Sequence, residues 1–130
     1  MIFFGHKFIE SPSFYHINSI DSVQHTPPSS TVYLEYSQEN LDIIKHAEIN
    51  SISMALKIST VTELVYASAL GAKYIVVSKD LATISQKIAE NYLFDAKILV
   101  MIEDEKDIEA LAILGIDGVI CSNAIIKINS

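Results

Sequence analysis

The chain has 130 residues, half of them apolar, with six Tyr, five Phe and no Trp, which suits one domain with a real core and excludes a disordered chain or eight complete βα units. Net charge is −7 and the nine basic residues are scattered singly, so no cationic stripe exists to meet nucleic acid or an anionic membrane, and neither is expected as a partner. The single Cys121 excludes an intrachain disulfide framework and multi-thiolate zinc clusters; with no apolar run near the roughly 20 residues that span a bilayer and no signal-peptide pattern at the start, a cytoplasmic location is expected.

Residues 1–30 form an irregular aromatic segment holding Phe3, Phe4, Phe8, Phe14, Tyr15 and three of the four histidines. Short strands are expected around Ile2 to Ile9 and Phe14 to Ile17, then a brief helical turn near Ser19 to Val23, before a Pro27-Pro28-Ser-Ser boundary. So many aromatic side chains predict packing across an edge or face of a sheet, or onto a partner subunit.

From Thr31 a βα unit recurs about every 22 residues, through Thr31 to Tyr36, Ile52 to Ile58, Tyr74 to Ser78, Lys97 to Ile102 and Gly118 to Cys121. Between them, Thr60-Val-Thr-Glu63 has capping-box spacing, and Gly71 stands where a helix needs a left-handed end. The segment from Asp80 is expected to turn Leu81, Ile84, Ile88 and Tyr92 inward, with Lys87 and Glu90 in water. Asp104 to Leu114 repeats the pattern with Ile108, Leu111 and Ala112 inward and Gly115 as its stop. Glu63 to Asp80 also matches Asp107 to Ala124 at an offset of 44 residues; this reads either as duplication or as the helix-Leu-Gly-strand grammar that α/β folds share.

Regular alternation predicts a single α/β domain with a parallel sheet of about five strands. Its form is a half-barrel with helices on one side, or a flavodoxin-like doubly wound sandwich as the alternative. A half-barrel leaves its second face open, to be closed by the N-terminal segment, by a second subunit in a homodimer, or by both.

Alternation places Val32, Leu34 and Tyr36 with Met54, Leu56, Ile58 and Ile98, Val100, Ile102 on the face under the helices. The opposite phase holds Tyr33 and Glu35, then Ser53, Ala55 and Lys57, then Leu99 and Met101, then Val119 and Cys121. Glu35 and Lys57 thus fall side by side near the C-terminal strand ends, where βα folds bind ligands, with Lys79, Glu103, Ser122 and Asn123 at the same edge. Lys57 would meet an anion, helped by Lys79, Ser122 and Asn123, while Glu35, Lys57 and His6 are the candidates for catalysis; the plainer alternative is an ion pair supporting the sheet. His6, His16 and His25 share no helix face or ligand spacing, so no metal site is expected. Cys121, late in an apolar strand, reads as an inert thiol. No Gly-rich phosphate loop or other cofactor motif occurs, and no cofactor is expected.

The run from Ala96 to Asn123, with Leu114-Gly-Ile-Asp-Gly-Val-Ile-Cys121 at its end, resembles the last two strands of glycerophosphodiester phosphodiesterases, a βα-barrel family. The resemblance covers about a fifth of the chain and implies a TIM-barrel-like fold. In that family the strand continues into Thr-Asp-x-Pro, where this chain has Cys121-Ser-Asn-Ala124. The family's His-Arg and Glu-x-Asp motifs would fall on His6, followed here by Lys7, and on Glu35, followed two residues later by Ser37. Two functions are therefore weighed: a non-catalytic assembly or small-ligand-binding domain, and a hydrolase or lyase acting on a small anionic or phosphorylated substrate.

Overall fold

Each of the five runs from Thr31 onward forms a strand in a computed structural model, which describes residues 1–128. In chain order the main elements are β1 (Ile2–Phe4), β2 (Phe14–His16), β3 (Thr31–Glu35), α1 (Leu41–Ile49), β4 (Met54–Lys57) and α2 (Val61–Ala69). There follow β5 (Tyr74–Val77), α3 (Ala82–Asn91), β6 (Lys97–Ile102), α4 (Lys106–Ile113), β7 (Gly118–Cys121) and β8 (Ile125–Lys127). The register pairs Val32 with Met54, Ala55 with Tyr74, Tyr74 with Lys97 and Leu99 with Gly118, offsets of 22, 19, 23 and 19 residues that carry the expected repeat.

The sheet is parallel throughout, in the order β1-β7-β6-β5-β4-β3-β2-β8, and curls into a half-barrel. From β3 to β7 every unit adds its strand on the same side of the last. Crossovers of one hand then lay all four helices on one face, which rules out the doubly wound alternative. Among the described residues the sheet has eight strands rather than about five. Strands β1 and β2 lie within the short strands expected at Ile2 to Ile9 and Phe14 to Ile17 and join the sheet, while β8 was not expected; these three have three residues each and no α-helix of their own.

The outer core forms between sheet and helices from the phase the sequence assigns: Val32, Leu34, Met54, Leu56, Ile58, Ile98, Val100 and Ile102. They meet Ile43, Ile44 and Ala47 of α1, Leu64 and Ala67 of α2 and Leu111 of α4. Each such aliphatic side chain taken fully from water stabilises the fold by about 1.5–3 kcal/mol. The helix ends also follow local sequence. Thr60 Oγ1 accepts the Glu63 N–H at 3.1 Å, while Glu63 Oε1 reaches back to the Ser59 N–H at 2.8 Å, one residue beyond the usual partner. Gly71 and Gly115 close α2 and α4 with φ of +87° and +78°.

Helix α3 departs from expectation. Ile84 and Tyr92 are exposed, and Ala82, Ser85, Gln86 and Ala89 face the sheet instead. A polar bridge selects that face: Gln86 Oε1 accepts the Asp117 N–H at 2.9 Å, and Asp117 Oδ2 accepts the Ile98 N–H at 2.9 Å. Turning Ile84 inward would carry Gln86 away and leave the Asp117 N–H of the α4–β7 turn without its acceptor. On α4, Leu111 is buried and Ile108 half-buried as expected, but Ala112 is exposed.

The concave face has its own core, made of Phe4, Phe14, Tyr33, Ala55, Val76, Leu99, Ile120 and Ala124. Phe4 lies in the first strand of the sheet order and Phe14 in the seventh, yet their rings stack at 4.7 Å, and each lies 5.3 Å from Tyr74 of central β5. Only a curled sheet brings these together. Beyond β1, Gly5 adopts φ +81° and donates its N–H to Ser11 Oγ at 3.0 Å, linking the start of the chain to the approach to β2. A side chain at Gly5 would sit 2.9 Å from Asn123 Oδ1, so the end of β1 abuts the turn before β8. The second face, expected to be closed by the N-terminal segment, by a second subunit or by both, is lined by Phe4 and Phe14 of the chain's own N-terminal strands.

The inner and outer assignments hold for β3, β4 and β6 but fail for β7. Val100 pairs with Val119 and Met101 with Ile120, so Gly118 and Ile120 face inward while Val119 and Cys121 pack toward the helices. No helix among the described residues is long and apolar enough to cross a membrane.

Candidate functional site

The C-terminal ends of the strands form the rim of the half-barrel, and the inward phase decides which side chains reach it. Phe14, Tyr33 and Ala55 lie in the inner core and Ile125 packs against it. Two residues further along the same strands stand His16, Glu35, Lys57 and Lys127, which therefore share the inner phase. The register confirms the sequence around the rim: Lys57 is the Cα partner of Glu35, His16 of Tyr33, and Lys127 of His16. One arc across β4, β3, β2 and β8 thus carries two ammonium groups, a carboxylate and an imidazole.

Glu35 and Lys57 are neighbours, as their equivalent positions in the repeat predict, but the supporting ion pair does not form. The ion pairs among the described residues are His6–Glu105, Lys7–Glu105 and Lys79–Asp107. Lys57 is half-buried and Glu35 exposed. Lys57 borders a hollow of about 370 Å³ with Ser78, Lys79, Met101, Glu103, Asp104 and Asp107. Three of these groups are already engaged: Lys79 Nζ lies 3.2 Å from Asp107 Oδ2, and the Ser78 hydroxyl donates to Asp80.

His6 lies elsewhere on the rim. Its Nδ1 accepts the Phe8 N–H at 3.1 Å, its Nε2 lies 3.6 Å from Glu105 Oε1, and its ring is flanked by Phe3 and Phe8. With Nδ1 accepting, the proton of a neutral ring sits on Nε2 and faces the carboxylate, so no imidazole lone pair is free to act as a base. His6 shares a hollow of about 470 Å³ with Glu103, Glu105, Cys121, Ser122 and Asn123. The hollow of His6, Ser122 and Asn123 adjoins that of Lys57 and Lys79 through Glu103 and Asp104, which line both, and Glu35 borders neither. His25 is exposed on a 3-10 turn, Asp21–His25. Among the described residues no group of three His, Cys, Asp or Glu is placed to hold a metal ion.

Cys121 is half-buried, and burial followed by the nearby Glu105 carboxylate pushes its thiol up from the ordinary value, away from the reactive thiolate. Tyr33 is pushed up to about 12, mainly by burial and secondarily by Glu35. His16 is lowered from its ordinary 6.5 by burial and then by Lys127, with Glu35 opposing them. At neutral pH its imidazole is uncharged.

The sequence names His16 only among histidines without metal-ligand spacing, and Lys127 not at all. The signal for His16 was present in Phe14-Tyr15-His16, whose alternation sets the histidine in phase with Phe14. Lys127 carries no comparable signal, because a strand of three residues shows too little of its period.

No family model matches the chain, and no curated protein matches it.

Proposed function

We propose that the chain is a non-catalytic domain that binds a small anion at the C-terminal rim of its half-barrel. The observation that carries this reading is the arc of Lys57, His16 and Lys127 on the inward phase of neighbouring strands, with both ammonium groups outside the ion pairs formed among the described residues. The half-buried Lys57 ammonium is poorly served by water on its protein side, Lys127 stands exposed on the same rim, and a small oxoanion supplies the missing charge and acceptors. Glu35 within the same arc admits a ligand that also carries a hydroxyl or ammonium donor.

Binding is favoured over hydrolysis because His6, the imidazole among the three catalytic candidates, has Nδ1 taken by the Phe8 N–H and Nε2 facing Glu105, while exposed Glu35 borders neither the hollow of His6 nor that of Lys57. The resemblance to phosphodiesterases then reflects shared barrel grammar and a common preference for oxygen anions at strand ends.

Calorimetric titration with inorganic phosphate, comparing the native chain with Lys57→Met, tests the proposal. The native chain should bind with one site, and the variant should bind about tenfold or more weakly, as expected for loss of one charge-assisted contact worth about 1.5–3 kcal/mol. No binding at tens of millimolar phosphate, or equal affinity in the variant, would refute it. Turnover of a phosphomonoester or phosphodiester that disappears in Glu35→Gln would overturn the non-catalytic reading in favour of a hydrolase.

A further inference from the structure

His16 is the imidazole of this arc, and its surroundings explain what a change in its charge does. Its ring stands edge-on to Tyr33 of β3, with centroids 5.3 Å apart and planes at 89°. On the other side its register partner is Lys127 of β8. A hollow of about 240 Å³ opens beside the imidazole, lined also by Ile17, Asn18, Lys127 and Ile128. The charged groups facing His16 are Lys127 from β8 and Glu35 from β3, and the Tyr33 hydroxyl remains neutral up to about pH 12.

Charge bookkeeping then selects a ligand class. With His16 neutral, Lys127 gives this hollow one positive unit, while Lys57 and Glu35, register partners further along the arc, cancel each other. A monoanion is balanced by that rim, but a dianion leaves one negative charge uncompensated in a partly desolvated site. Protonating His16 supplies the missing charge and a second N–H donor beside the hollow. Burial and Lys127 oppose that proton in the empty site. A bound dianion removes much of the opposition from Lys127 by standing between the two cations.

We propose that the rim takes a tetrahedral dianion of the phosphomonoester type together with one proton, which settles on His16, so that acidification tightens binding. This rests on the anion-binding reading above and adds its regulation. The proton comes from solvent, or from the ligand when it arrives as the monoprotonated form. By linkage, the affinity changes by up to tenfold for each pH unit between the His16 pKa of the empty site and that of the occupied one.

Sulfate is the suitable probe, because it remains a dianion throughout the range in which His16 titrates. Its affinity is measured by calorimetry between pH 5.5 and 7.5 in two buffers of different ionisation heat, for the native chain and for His16→Gln. The expected result is sulfate binding at least about fivefold tighter at pH 5.5 than at pH 7.5, with uptake approaching one proton per sulfate near neutrality. His16→Gln should bind more weakly at pH 5.5 and lose most of the pH dependence. The imidazole resonances of the native chain, which need no variant, should show the His16 pKa rising when sulfate is added.

An affinity that is constant with pH, or a pH dependence that persists in His16→Gln, would overturn proton coupling while leaving anion binding intact. If neither sulfate nor phosphate binds the native chain at any pH, the underlying function itself fails, and proton coupling with it.

Discussion

The contact between Phe4 and Phe14 is the most demanding test of the curled sheet, because these residues lie six places apart in the strand order. In a flat sheet, with strands about 4.8 Å apart, the two rings would be separated by nearly 30 Å and could not interact. In the structure their centroids are 4.7 Å apart with planes tilted by 41°, and both side chains are almost fully buried. Phe4→Leu and Phe14→Leu largely conserve volume, so each should cost below about 2 kcal/mol, combining a small residual cavity with loss of ring contacts. Alanine is unsuitable, since two truncations at about 3–5 kcal/mol each would consume most of a small domain's stability. The double variant should be less destabilised than the sum of the singles by about 0.5–1.5 kcal/mol, the usual coupling of a buried aromatic pair. Urea denaturation followed by tyrosine fluorescence and far-ultraviolet circular dichroism provides the four free energies, with equal slopes confirming a common unfolding transition. Additivity within about 0.3 kcal/mol would mean that the rings do not touch, and the inner core would then have to be discarded.

Two further outcomes follow from other parts of the fold. Gly118→Ala should destabilise by about 1–3 kcal/mol in the same denaturation assay, since its Cβ would stand 2.6 Å from the Ile2 carbonyl oxygen and force β1 away from β7; a neutral result would show that β1 does not pair so closely. For Tyr33, the folded pKa of about 12 lies above the ordinary 10.0. The folded state therefore holds this proton more tightly, and the associated stability is complete below pH 10 and is lost as pH rises toward 12. Denaturation between pH 8 and 11.5 should show that decline, and Tyr33→Phe should reduce it; an equal decline in the variant would place its origin elsewhere.

The sequence by itself determined the central βα units, because their signals are local. Alternation over four to six residues marks β3 to β7, Thr60 and Glu63 begin a helix through bonds to nearby backbone, and Gly71 and Gly115 end helices through their own φ angles. The same locality made Glu35 and Lys57 legible as neighbours. Chain length correctly excluded eight βα units, but it could not exclude eight strands, since β1, β2 and β8 pair with neighbours without helices of their own.

Tertiary structure decided the rest. A period of two identifies two faces of a strand without saying which turns inward; for β7 that choice came from the register with β6 and sent Cys121 toward the helices. On α3, the bridge from Gln86 to Asp117 and on to Ile98 outweighed the apolar stripe. The rim itself required closure: the strand of His16 was legible but its place beside β3 was not, and Lys127 reaches the rim only because β8, too short to declare itself, is templated by pairing with β2 in a sheet already curled around Phe4, Phe14 and Tyr74.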